Sequence, residues 1–223
     1  MKEKQTVIKV LLGLVTVVTP LVILMIAIRL LLMPSYARFA YRLPGFPEDP
    51  YGFSAQDRLQ WSEPSILYLV NSEEISYLSD LRFDNGEPIY NASELSHMVD
   101  VKNVVTGMRI ALVSLTLAVL VIALVAVRQG YKPLLIRAFN WGGWATMGLI
   151  VAILLFVALN FNSLFTWFHK IFFESGTWQF HPSDTLIRLF PMRFWQDAFV
   201  LVGVQSLLYG GLLVLATRKN NRL

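Results

Sequence analysis

Four apolar runs, at about residues 7–33, 104–127, 144–165 and 194–216, constrain this chain of 223 residues more than any other feature. Each can cross a hydrocarbon core of about 30 Å, which takes roughly 20 apolar residues as a helix. Hydrophobic residues make up 55% of the chain and charged residues 15%. A water-soluble domain could not hide that much apolar surface. The expected fold is an all-α integral membrane protein, a single membrane domain over 1–223 with four transmembrane helices. A mainly helical extracytoplasmic insertion would separate helices 1 and 2. The first run is too long for the apolar part of a signal peptide, and only a weak small-residue site, Ala37 to Ala40, follows it. It reads as a retained helix.

Orientation follows from the basic residues at the helix ends. Lys2, Lys4 and Lys9 precede the first run, Arg128, Lys132 and Arg137 lie between the second and third, and Arg218, Lys219 and Arg222 follow the fourth. These nine are opposed by a single acid, Glu3. Residues 34–103 instead hold five basic residues and eleven acids. Both termini are therefore expected in the cytoplasm, with 34–103 and 166–193 outside. The net charge of +4 reflects this topology and gives no reason to expect a nucleic-acid partner.

The first outer segment opens with turn formers: Pro34, then Pro44 to Pro47 and Asp49 to Gly52. A helical pattern follows from about Ser54 to Leu81, and Pro64 is expected to split it in two. Asp84-Asn85-Gly86 reads as a turn, with a short hairpin reaching Pro88–Tyr90. Asn91 then caps a new helix, with Glu94 completing a capping box. In the second outer segment, Ser183 and Asp184 are expected to cap a short helix over Thr185–Phe190, ended by Pro191. Trp141 and Trp144 at one end of the third run, and Trp167 at the other, form an aromatic belt.

All three histidines, His97, His169 and His181, fall on the outer side. His97 and Asp100 share a helix face at i, i+3 spacing, so the carboxylate could orient the ring or hold a neighbouring group. A wet membrane rim would make such a polar pair tolerable. His181, before Pro182, reads as a turn residue. Arg109 inside the second run and Asp197 inside the fourth are ionisable groups of the kind that face a bundle interior and pair, so one polar cluster below the histidines is expected. Arg29 reads as snorkelling to the interface. There is no cysteine, hence neither a disulfide nor a thiol nucleophile. No hydrolase, zinc-protease or nucleotide-binding signature occurs.

Several stretches together resemble a known family. They are His97-x-x-Asp-Val-Lys102, Phe168-His-x-x-Phe-Phe173, Trp178-x-Phe180, Asp184-x-Leu-Ile187 and Phe190-Pro-x-x-Phe-Trp195, with Tyr51 to Ser54 and Ile66 to Leu69 upstream. Their order and spacing are similar to the lipoprotein intramolecular transacylases, four-span proteins of the bacterial plasma membrane. The resemblance implies a cofactor-free, metal-free enzyme working at the outer leaflet on diacylated lipoproteins. It would move the sn-2 acyl chain of a diacylglyceryl-cysteine onto the lipoprotein's own α-amine, giving the lyso form. The family uses two histidines, and the matching positions are His97 and His169. Asp100, Arg109, Trp178 and Asp197 would support them, with Arg109, Trp178 or a protonated histidine donating to the oxyanion. The aromatic loop 167–180 would roof the site. A monomer is favoured. Two other readings stay open: a metal-dependent outer-leaflet lipid hydrolase or acyltransferase using His97, Asp100 and His169, and a four-span scaffold without catalysis.

Overall fold

A computed structural model describes residues 2–218, with side chains from Gln5 onward. The charges counted at Lys2, Glu3, Lys4, Lys219 and Arg222 lie outside the described residues or side chains. The described chain is helical: α1 Lys2–Leu31, α2 Pro34–Ala40, α3 Ala55–Tyr68, α4 Ser76–Ser79, α5 Ala92–Arg128, α6 Lys132–Phe172, α7 Thr185–Leu189 and α8 Met192–Arg218. Four helices, Gln5–Leu31, Ala92–Arg128, Lys132–Phe172 and Met192–Arg218, are long and apolar enough to cross a membrane. The fold is thus the expected four-span, all-helical one.

The chain divides into two compact units. The first, called the stem unit, comprises 1–28, 109–156 and 200–223; the second, the head unit, comprises 29–108 and 157–199. In the stem unit, Ile8, Leu12 and Val15 of α1 pack with Ala126 of α5 and with Leu135 and Ala138 of α6. Glycine lets its helices approach closely. A Cβ added at Gly142 would sit 2.7 Å from Cβ of Thr19, and one at Gly143 would sit 2.8 Å from Val214 and 2.9 Å from the Gly210 carbonyl oxygen. With lipid on the outside, such small-residue contact is how apolar helices gain packing energy against one another.

The head unit departs from the sequence expectations in several places, each with a local cause. Pro34 opens α2 instead of making a turn, because a proline at the first helical position gives up only an N–H that would be unpaired anyway. Pro64 does not split α3. Next to the carbonyl it deprives of a donor, the hydroxyls of Ser65 and Tyr90 lie 2.5 Å apart and reach the Trp61 carbonyl at 2.8 and 3.0 Å. The helix ends at Tyr68, and the rest of the pattern forms only α4. The hairpin shrinks to one bridge, Arg82 with Pro88, around a turn with Gly86 at φ +85. Gly45 and Gly52 take positive φ in the two expected upstream turns.

The third apolar run is broken. Asn160 adopts an extended backbone (φ −157, ψ 71) inside α6, and its Oδ1 accepts from the Ser163 N–H at 3.1 Å. Asparagine competes well for a nearby backbone donor, so it ends one helical segment and caps the next. That second segment carries His169. Arg29 is half-buried, with one guanidinium nitrogen buried and unpartnered, which differs from a side chain freely snorkelling outward.

Candidate active site

The head unit builds its centre from the N-terminal turns of α5. Asn91 caps them as expected: its Oδ1 accepts from the backbone N–H groups of Ser93 and Glu94 at 3.0 and 2.9 Å. Glu94 Oε2 in turn accepts from Asn91 N–H at 2.8 Å. The other oxygen of Glu94 does something the sequence did not suggest. Oε1 accepts from the Leu186 N–H at 2.6 Å and so caps α7, 92 residues further on. Asp184, expected to make that cap, accepts from the His181 N–H instead. Beside this clamp, the Thr185 hydroxyl donates to the Ile89 carbonyl at 2.6 Å. Glu94 is 1% exposed, so no water competes for either bond.

One turn beyond Glu94, His97 faces His169. The rings are nearly parallel, 20° apart, with centroids separated by 6.3 Å. Both are buried, at 8% and 9% exposure. What encloses the pair is aromatic. Phe173 packs on both imidazoles, at 4.8 and 5.5 Å. Phe180 covers His97 at 5.4 Å, while Phe165 and Trp178 lie 4.1 and 4.8 Å from His169. The loop between α6 and α7 thus roofs the pair.

Two polar features define what the pair can do. Nδ1 of His169 lies 2.7 Å from the Phe165 carbonyl oxygen. A carbonyl only accepts, so Nδ1 carries the hydrogen and Nε2 is left with the free lone pair in the neutral ring. By contrast, Nδ1 of His97 and the indole N–H of Trp178 are buried with no partner. Buried polar atoms are nearly always bonded, and two exceptions in one enclosure mark where a bound molecule would supply the partners.

The other expected site residues are placed as follows. Asp100 is half-buried and makes no hydrogen bond to His97, whose Nδ1 is unpartnered. The buried carboxylate beside the histidine is Glu94, one turn to the other side, and it bonds backbone. Asp197 accepts from Arg193 Nε at 2.8 Å in an i, i+4 pair. Arg109 belongs to the stem unit. His181 is exposed, as a turn residue should be. Among the described residues no three His, Cys, Asp or Glu side chains converge as a metal donor set, so His97, Asp100 and His169 do not assemble one.

Four apolar helices and a buried, aromatic-lined histidine pair define a polytopic membrane protein. Residues 13–195 match the model of the lipoprotein intramolecular transacylase family, and the chain belongs to that family. It is a membrane transacylase. A protein of Aquifex aeolicus described only as uncharacterized is 27% identical over 201 residues, covering 90% of this chain and 89% of the relative. The fold is shared with solved structures of the lipoprotein intramolecular transacylase from Bacillus cereus. One aligns with a TM-score of 0.77 at 17% identity, covering 100% of this chain and 98% of that one. A second, carrying a histidine-to-arginine substitution, aligns at 0.74 and 19% identity, covering 99% and 95%.

Proposed function

We propose that this enzyme moves the sn-2 O-acyl chain of a diacylglyceryl-cysteine lipoprotein to the α-amine of the same cysteine, with His169 as the acid–base group and His97 facing it to hold the leaving end. The observation that carries the reading is the enclosed pair itself, 6.3 Å between ring centroids, with unsatisfied polar atoms beside it. Family membership supports the lipoprotein substrate. The site works at the outer leaflet, with both termini in the cytoplasm, where an anchored lipoprotein presents its ester at the membrane surface.

Ester and amine belong to one molecule, so holding them in attack geometry supplies much of the rate; effective molarity accounts for about 7–11 kcal/mol in such reactions. An α-ammonium, of pKa about 7.7–8.0, first loses a proton to solvent. The neutral amine then attacks the sn-2 carbonyl carbon, and Nε2 of His169 takes the proton that the nitrogen sheds as the C–N bond forms. The same proton passes to the glycerol oxygen as the C–O bond breaks, leaving an amide and a free hydroxyl. One histidine can serve as base and then acid in this sequence. The Trp178 N–H donates to the carbonyl oxygen as its charge develops, and His97 holds the leaving glycerol end. No covalent acyl-enzyme forms.

Mass spectrometry of a lipoprotein's N-terminal peptide, from cells with and without the enzyme, tests the reaction. His169→Ala and His97→Ala should each lower lyso-lipoprotein formation by about 10²–10⁴-fold while the protein still inserts. His181→Ala should have little effect. Yields near wild type in both single variants would remove the histidine pair from the mechanism.

A further inference from the structure

Among the residues with described side chains, the stem unit carries Lys9, Arg109, Arg128, Lys132, Arg137 and Arg218 and no acid. Its own residues therefore cannot neutralise this charge. Part of it lines a groove between α1 and α6. One cavity, of about 160 Å³, is bounded by Lys9, Gly13 and Thr16 of α1 and by Arg137 and Trp141 of α6. It adjoins a second, of about 570 Å³, lined by the same Arg137 and Trp141 together with Asn140 and Trp144.

Local packing explains why the groove is open where it is. Nothing lies within 4 Å of where a Gly13 side chain would begin, so the α1 wall is recessed there. Just beyond, the helices close: Thr16 Oγ1 reaches the Ala138 carbonyl at 3.1 Å, and Gly142 lies tight against Thr19. The Asn140 amide is turned inward to Thr217 and the Val214 carbonyl, which leaves Arg137 as the outward polar group of this turn. Trp141 and Trp144 remain 56% and 53% exposed, as indoles at a membrane–water boundary are. Leu14 and Val17 present exposed apolar surface along α1.

We propose that this groove binds the headgroup of an anionic phospholipid. The Arg137 guanidinium takes the phosphate through paired N–H donors, and Lys9 adds a second positive charge. The two indoles sit at the level of the glycerol backbone, and one acyl chain lies along Leu14 and Val17. Basic pockets between membrane helices recognise such headgroups in this way. Zwitterionic lipids fit less well, because a choline or ethanolamine cation would find no carboxylate in the groove.

The test uses the full-length protein in phosphatidylcholine nanodiscs, with brominated acyl chains placed either on added phosphatidylglycerol or on phosphatidylcholine at equal mole fraction. The indole quenching that disappears in Trp141→Phe isolates the groove. Brominated phosphatidylglycerol should associate roughly thirtyfold more tightly, given about 1 kcal/mol for each of the two basic residues near the surface. The preference should fall most in Arg137→Gln, fall also in Lys9→Gln, and be kept only in part in Arg137→Lys, which retains the charge but loses the paired donors. Equal quenching by both lipids in the unmodified protein would overturn the proposal without any variant. Competition by soluble glycerol phosphate would equally overturn it, since the site would then take a free phosphate and not a lipid. Neither outcome bears on the histidine chemistry, which is not part of the measurement.

Discussion

In the head unit, side-chain hydrogen bonds tie together segments far apart in the chain. Glu94 holds Leu186, the Tyr36 hydroxyl donates to the Phe194 carbonyl at 2.7 Å, and Tyr41 donates to the Leu189 carbonyl at 2.8 Å. Arg188 pairs with Asp49 at 2.9 Å and stacks over Phe53, 3.3 Å from its centroid. In the stem unit Thr19, Thr146 and Thr217 bond a carbonyl one turn back on their own helix. Contact between its helices rests mainly on glycines and on small or branched apolar residues. The difference follows from what each unit has to satisfy. Long helices satisfy their own backbone and need only shape, whereas short helices and loops leave many backbone groups that must find partners elsewhere.

If that contrast is right, the two units should fail differently. The largest effect is expected for Glu94→Ala, which strands the buried Leu186 N–H and removes the reciprocal half of the α5 cap, at about 1–3 kcal/mol per lost partner. Melting in detergent should fall sharply, and lyso-lipoprotein yield should fall with it, because α7 and the aromatic roof lose their anchor to α5. A variant that melts like wild type would show that the clamp is dispensable.

Asp49→Asn comes next. Burial alone would raise the Asp49 carboxyl, but Arg188 and the backbone N–H groups of Phe53 and Tyr51 outweigh it and hold the carboxyl below its usual range. A depressed carboxylate contributes stability that is present above its unfolded value of about 3.9 and is lost as pH falls through the folded one. The variant should therefore be less stable than wild type at neutral pH, by about 1.5–3 kcal/mol for a hydrogen bond to a charged group. The gap should narrow in strong acid. A gap that is constant across pH would mean that packing, not charge, links these segments.

Gly143→Ala probes the stem unit. It drives a methyl against the Gly210 carbonyl, and such overpacking costs about 1–3 kcal/mol. Stability should drop with no shift in its pH dependence, the reverse of the pattern at Asp49. The smallest effect is expected for Tyr36→Phe, which removes one neutral hydrogen bond worth about 0.5–1.5 kcal/mol. A loss from Tyr36→Phe larger than that from Gly143→Ala would invert the proposed contrast.

What could be read in advance divides along similar lines. The four spans are visible because a bilayer fixes both their length and their composition. The capping role of Asn91 and Glu94 is visible because it depends on residues three apart. The facing of His97 and His169 came through resemblance, since no spacing rule relates positions 72 residues apart. The second use of Glu94 was hidden for the same reason, and Asp100 looked the better carboxylate only because it too lies one turn from the histidine. The break at Asn160 is not legible because one amide in an apolar run costs little hydropathy, although its side chain decides where the helix breaks. Phe165, Phe173, Trp178 and Phe180 meet around the histidines only in the fold, so their enclosure of the pair has no signature in spacing.

The bond from His169 to Phe165 has a consequence for how this site tolerates change. In a Ser-His-Asp triad a separate residue fixes which ring nitrogen holds the hydrogen, and losing that residue puts it on the wrong atom. Here the acceptor is a main-chain oxygen of the histidine's own helix, which no side-chain substitution removes. The orientation of this imidazole is therefore inherited with the helical turn from Phe165 to His169. The surrounding rings are free to vary in size and shape without disturbing the direction in which Nε2 points.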